Sequence, residues 1–269
     1  MVKKLFKHEF LAWLRVLPVI YAITLGMAAM HRILQFFEND SDYYAMLNGS
    51  ALSIYIIALI ACLVTPLIFA VVRFYRHLFT GEGYLTMTLP VTAGNHLWVK
   101  GLTAVAFFAI SALVGLLSGM VITAGEVFAE ICKAAAYLLK QIPGDAAAHL
   151  AGYIAELLVL TLVALFGSCF FYYTCICLGQ RFRRHRVLAA VGVYFGFHVA
   201  SQFLATFLGV FLMAMELTLQ LEKLGKFFEA HPEASVHIFL GGLILMCTLV
   251  AGVYFLICHH TIRKKLNLE

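Results

Sequence analysis

Charge is what this sequence has least of. Only 12% of its 269 residues are charged, against 63% hydrophobic, whereas a soluble globular domain carries about 25% charged residues. A water-soluble fold is excluded. No Gly-x-x-x-x-Gly-Lys-Ser/Thr occurs, and the one Gly-Lys pair, Gly225-Lys226, lacks the upstream glycine. The chain therefore has no P-loop with which to bind and hydrolyse ATP by itself. His-Glu-x-x-His and Gly-x-Ser-x-Gly are also missing, and no apolar run holds a pair of carboxylates, so the chain is not expected to be an enzyme. The alternating apolar-polar segments of a membrane barrel are absent too. Of the seven cysteines only Cys132 falls outside the apolar runs, which excludes a disulfide scaffold.

What is present is apolar length. A helix needs about 20 apolar residues to cross the hydrocarbon core, and six stretches qualify: 16–37, 51–72, 97–124, 150–178, 187–215 and 236–258. The expected fold is an all-α integral membrane protein, a single domain over 1–269, with six transmembrane helices and both termini on one side. Fourteen of the 19 basic residues lie on that side, among them Lys3, Lys4, Lys7, Arg73, Arg76, Lys100, Arg181 and Arg263. Basic loops stay in the cytoplasm, so both termini are expected to be cytoplasmic. The net charge of +5 is then a topology signal and does not point to nucleic acid.

Met1 to Arg15 places Val2, Leu5, Phe6, Phe10, Trp13 and Leu14 on one helical face, with lysines largely opposite. It is expected to be an amphipathic interfacial helix, with Trp13 at the membrane surface and its lysines against anionic headgroups. Pro18 is tolerated in the first turn of the first span, and Pro66 is expected to kink the second. Ser111, Gly115 and Gly119 in the third span, and Gly192, Gly196 and Ala200 in the fifth, form small-residue stripes that let helices approach closely, within one chain or between two. Two outer segments, Glu126–Ile142 and Glu216–Ala230, are helical by periodicity but too polar to span. The turn from Gly179 to Arg186 reads as a positive-inside anchor.

Few residues offer sharper chemistry. Cys169, Cys175 and Cys177, with Cys258, His259 and His260, are the one soft-ligand group. A Cys-x-Cys pair in a helix points its thiols to nearly opposite faces, so no metal site is expected. His198 and Gln202, one turn apart, are the most polar point inside any span. Polar groups at that depth face the bundle or a water path; structural hydrogen bonding is the first expectation for both, and a place on a translocation route the second.

The stretch from Arg73 to Lys100, RFYRHLFTGEGYLTMTLPVTAGNHLWVK, joins the second and third spans on the side of the termini. Gly81 and Gly83 flank Glu82 and favour a turn. Tyr84, Leu85, Met87 and Leu89 form a short apolar helix that needs a partner surface. Pro90 ends it, and Thr92 is placed to N-cap the next helix. The run Glu82-Gly83-Tyr84-Leu85, then Leu89-Pro90-Val91-Thr92, then Leu97 and Lys100, resembles the cytoplasmic segment of ABC-2 type ABC transporter permeases. Six spans, an amphipathic entry helix and an outer helical element over 216–235 agree with that resemblance, which covers nearly the whole chain.

The resemblance implies a bacterial permease subunit of an ATP-driven exporter in the inner (cytoplasmic) membrane. It implies a separate ABC ATP-binding subunit as partner and a second permease copy or paralogue. This chain would bind no cofactor; ATP and Mg would sit on the partner. Glu82, Gly83, Tyr84, Leu85, Met87, Leu89 and Pro90 would dock in a groove of the ATPase and move spans two and three when it closes. The resemblance also implies a central cavity lined from spans one, two and five. An ion-coupled secondary transporter and a non-transporting membrane scaffold or sensor remain open as alternatives. The substrate is not legible.

Overall fold

The computed structural model describes residues 2–37, 41–80, 83, 91–141, 144–182, 185–219 and 232–264. Eight α-helices cover most of them: α1 Val2–Trp13, α2 Leu17–Gln35, α3 Asp42–Phe79, α4 Ala93–Ile122, α5 Glu126–Gln141, α6 Gly144–Gly179, α7 Arg186–Leu219 and α8 Pro232–Lys264. Among the described residues six helices, α2, α3, α4, α6, α7 and α8, are long and apolar enough to cross a membrane. The chain is thus a multi-pass membrane protein by length and composition. It divides into two compact units, Met1–Pro143 and Gly144–Glu269.

In the first unit the amphipathic segment forms α1 as its periodicity predicts. Its Trp13, however, is buried in the unit: it is 2% exposed, stacks on Phe107 at 5.0 Å and meets Phe69 edge-on at 4.9 Å. Apolar partners on α3 and α4 take the place of the lipid interface expected for this indole. Pro18 sits in the first turn of α2, where its missing N–H costs nothing.

Helix α3 is the chief departure in length. It runs 38 residues, about 57 Å at the α-helical rise, and overshoots the expected span at both ends. Ser41 caps its start by accepting the Tyr44 N–H at 3.2 Å. At the far end Phe74, Leu78 and Phe79 are buried, so protein rather than lipid stabilises the extra turns. Helix α4 begins where the sequence places it: the Thr92 side chain accepts from the Asn95 N–H. Hydroxyls fasten α4 to its neighbours, Tyr21 to Ser111 at 2.7 Å and Tyr55 to Ser118 at 3.1 Å. The Ser111 and Gly115 part of the third-span stripe therefore faces α2 and α3 of the same chain, with Leu59 3.4 Å from where a Gly115 side chain would start. The turn out of α4 uses positive φ at Ala124 and Gly125, and α5 follows as its periodicity predicts.

In the second unit α6 packs against both α7 and α8. At the end of α6, Gly179 lies so close to α7 that an added Cβ would be 2.6 Å from the Ala190 Cβ and 2.7 Å from its Cα. This close approach needs a residue without a side chain. By contrast Gly192 and Gly196 have open space beside them. The Cα path of α7 ends at Leu219, and most of the expected element over 216–235 lies outside the described residues.

Candidate functional site

Three ionisable side chains meet inside the first unit. Glu9 comes from the buried stripe of α1, four residues from both Leu5 and Trp13. Arg73 comes from α3, one and a half turns before its end, and Lys100 from the second turn of α4. The Arg73 guanidinium grips both carboxylate oxygens, Nε donating to Oε1 at 2.9 Å and Nη2 to Oε2 at 3.1 Å. Lys100 Nζ donates to Oε1 at 2.9 Å. The Glu9 and Lys100 side chains are 7% and 6% exposed and Arg73 19%, so solvent screens little of this. Burial by itself would raise the Glu9 carboxyl; the charge of Lys100, with the hydrogen bonds and charge of Arg73, outweighs it and brings the group down to about 2. Glu9 is therefore a fixed anion at neutral pH.

The position of this clamp gives it meaning. Arg73 and Lys100 lie on the two spanning helices that lead into and out of the connection over residues 80–92. One carboxylate on α1 ties both ends together, so a force applied to the stretch reaches α1, α3 and α4 at once. Of the residues expected to contact a partner, Glu82, Tyr84, Leu85, Met87, Leu89 and Pro90 lie outside the described residues. Gly83 is described: it is buried, and its N–H bonds to the Thr80 carbonyl at 2.7 Å, as in a turn.

In the second unit α6, α7 and α8 line an open pocket of about 430 Å³. Its wall is aromatic, from Phe171, Tyr172, Tyr194, Phe197 and Tyr254, and His198 contributes the imidazole. The His198 ring meets Tyr194 edge-on at 4.5 Å and Phe171 at 5.6 Å, a geometry that aromatic quadrupoles favour. His198 and Gln202 are both exposed, but Gln202 is not part of this wall. Of the three spans that the resemblance assigns to a central cavity, only the fifth contributes here.

The cysteines are free, and Cys169, Cys175, Cys177 and Cys258 are buried. Thr174 Oγ1 lies 3.2 Å from Cys258 Sγ, while the next residue, His259, stacks on Phe255. Among the described residues no three His, Cys, Asp or Glu side chains are arranged to hold a metal ion.

Sequence reasoning missed the clamp. The available signal was Glu9 itself, the one acid in a lysine-rich helix, sitting at four-residue spacing between Leu5 and Trp13 on the apolar face. Comparison with protein-family models, curated proteins and solved structures finds no match for this chain.

Proposed function

We propose that this chain is the membrane-spanning permease subunit of an ATP-driven ABC transporter of the ABC-2 type, an exporter. It works with a separate ATP-binding subunit and a second permease copy or paralogue in the cytoplasmic membrane, with both termini in the cytoplasm. The observation that carries this reading is the Glu9 clamp, which makes the stretch between the second and third spans a lever anchored at both ends. Glu82 to Pro90 contacts the ATPase, which holds the ATP and Mg. Closure of the ATPase pushes the stretch, and the clamp moves α1, α3 and α4 together. The energy comes from the partner, and this chain converts it into motion.

The test is enzymatic. The full chain, isolated with its associated proteins from native membranes in mild detergent, should bring down a vanadate-sensitive ATPase activity. Glu82→Lys and Tyr84→Asp should remove that activity while leaving the chain inserted in the membrane. Wild-type preparations without ATPase activity would overturn the reading. A second reading, a proton-coupled secondary transporter, is favoured by one observation: the contact of His237 with Glu156 at 2.7 Å between two spanning helices. Transport that persists after loss of the ATPase would select it.

A further inference from the structure

At the end of the second unit where α6 and α8 both begin, four ionisable side chains form a line. Glu156 Oε1 lies 2.7 Å from His237 Nδ1, and His237 Nε2 lies 3.3 Å from His149 Nδ1. His149 Nε2 in turn lies 3.9 Å from Glu233 Oε2. The order alternates between helices: Glu156 and His149 on α6, His237 and Glu233 on α8. The line is held in place. The Tyr153 ring packs on His237 at 4.5 Å, and its hydroxyl donates to the Glu233 carbonyl at 3.4 Å. Gly152 leaves room for the His237 ring, since a Cβ there would come within 3.1 Å of Cε1.

Counting protons along the line shows what it lacks. An ionised carboxylate only accepts, so Glu156 requires the N–H of His237 on Nδ1. The other oxygen of Glu156 is buried with no partner among the described residues, where His237 is the one group that bonds this carboxylate. A neutral imidazole has a single N–H, so His237 Nε2 is then a bare acceptor and must receive the Nδ1–H of His149. That uses the one N–H of a neutral His149 and turns a bare Nε2 lone pair toward the Glu233 carboxylate. One further proton, placed on His149 Nε2, converts this repulsion into an ion pair and leaves every other contact intact. A second further proton, on His237 Nε2, would set N–H against N–H and break the line between the helices.

We propose that His149, facing Glu233, is a proton-binding site that fastens the start of α6 to the start of α8 in mildly acidic solution and releases it as pH rises. Histidine is the side chain that exchanges a proton most readily in water near neutrality. Under the proposed topology the site faces away from the cytoplasm, but it does not rest on the permease reading. The other element packed on α6, helix α7, has no ionisable side chain from Val199 to Ala214; the side chains of Asp145 and Glu216, and His231, lie outside those described. A metal ion fits the line less well, because the carboxylates occupy the outer nitrogens and only two imidazole nitrogens remain between the rings.

Hydrogen–deuterium exchange of the full chain in lipid nanodiscs, corrected for intrinsic rates, reads the fastening directly. Between pH 8 and pH 6, protection at residues 149–156 and 233–240 should rise by about two- to five-fold, the range expected of an ion pair this exposed. In His149→Asn, whose amide still donates to His237, the profile should be flat. In Glu233→Gln the rise should be smaller, because the charge that pairs with the protonated ring is gone. The same pH dependence in His149→Asn would overturn the proposal. So would a wild-type profile that is flat until zinc is added, which would make the pair a metal site.

Discussion

Replacing Glu9 by Gln keeps the shape of the side chain and removes the charge that joins Arg73 to Lys100. The Glu9 carboxyl titrates at about 2 where an ordinary glutamate titrates at 4.5. That difference of about 2.5 pH units corresponds to about 3 kcal/mol at 1.36 kcal/mol per unit. A similar size follows independently, since removing one partner of a buried pair typically costs about 3–5 kcal/mol. The assay is unfolding of the full chain in nanodiscs between pH 7 and pH 2. The folded value lies below the unfolded one, so the stabilisation is complete above about pH 5 and is lost as pH falls toward 2. Glu9→Gln should therefore be destabilised at pH 7, and its gap to wild type should close as the acid end is approached. In a Lys100→Met background the same substitution should cost less, because one of the two cationic partners is already gone while the bidentate Arg73 contact remains. A loss below about 1 kcal/mol at pH 7, the size of an exposed pair, would refute the reasoning. An equal loss in both backgrounds would do the same.

Other perturbations read other parts of the structure. Gly179→Ala should lower the unfolding midpoint of the full chain by several degrees, because the new Cβ would meet the Ala190 backbone at 2.7 Å; an unchanged midpoint would show that α6 and α7 can separate there freely. Tyr21→Phe and Ser111→Ala should each cost about 1 kcal/mol, the net worth of one hydrogen bond, and the double variant should cost less than the sum, since both remove the same 2.7 Å contact. His198→Leu should keep the fold, because the imidazole makes ring contacts with Tyr194 and Phe171, while altering transport if the aromatic pocket lies on the route; equal transport rates would remove it from the route.

The spans were legible because a run of about 20 apolar residues reports on the bilayer and needs no knowledge of neighbours. The Thr92 cap was legible for the same reason, since its hydrogen bond reaches only three residues on. The extra turns at the far end of α3 were not, because their support is the burial of Phe74, Leu78 and Phe79, which pattern alone does not reveal. Trp13 was read as interfacial because amphipathic periodicity shows which face is apolar and not whether lipid or protein covers it. The clamp depended on partners 64 and 91 residues from Glu9, and the line at His149 on partners more than 80 residues apart. Within the fifth span, His198 and Gln202 are equivalent to a helical wheel, and only the packing of α6 and α8 places the first on the pocket and leaves the second out.

The lever is tested most directly by crosslinking from a single cysteine at Tyr84 in native membranes, with the seven native cysteines replaced. A trapped protein carrying a P-loop, whose yield changes when ATP hydrolysis is arrested, is the predicted result. Normal expression and insertion with no P-loop protein trapped, with or without nucleotide, would contradict the assignment of this chain as the moving half of an ATP-driven transporter.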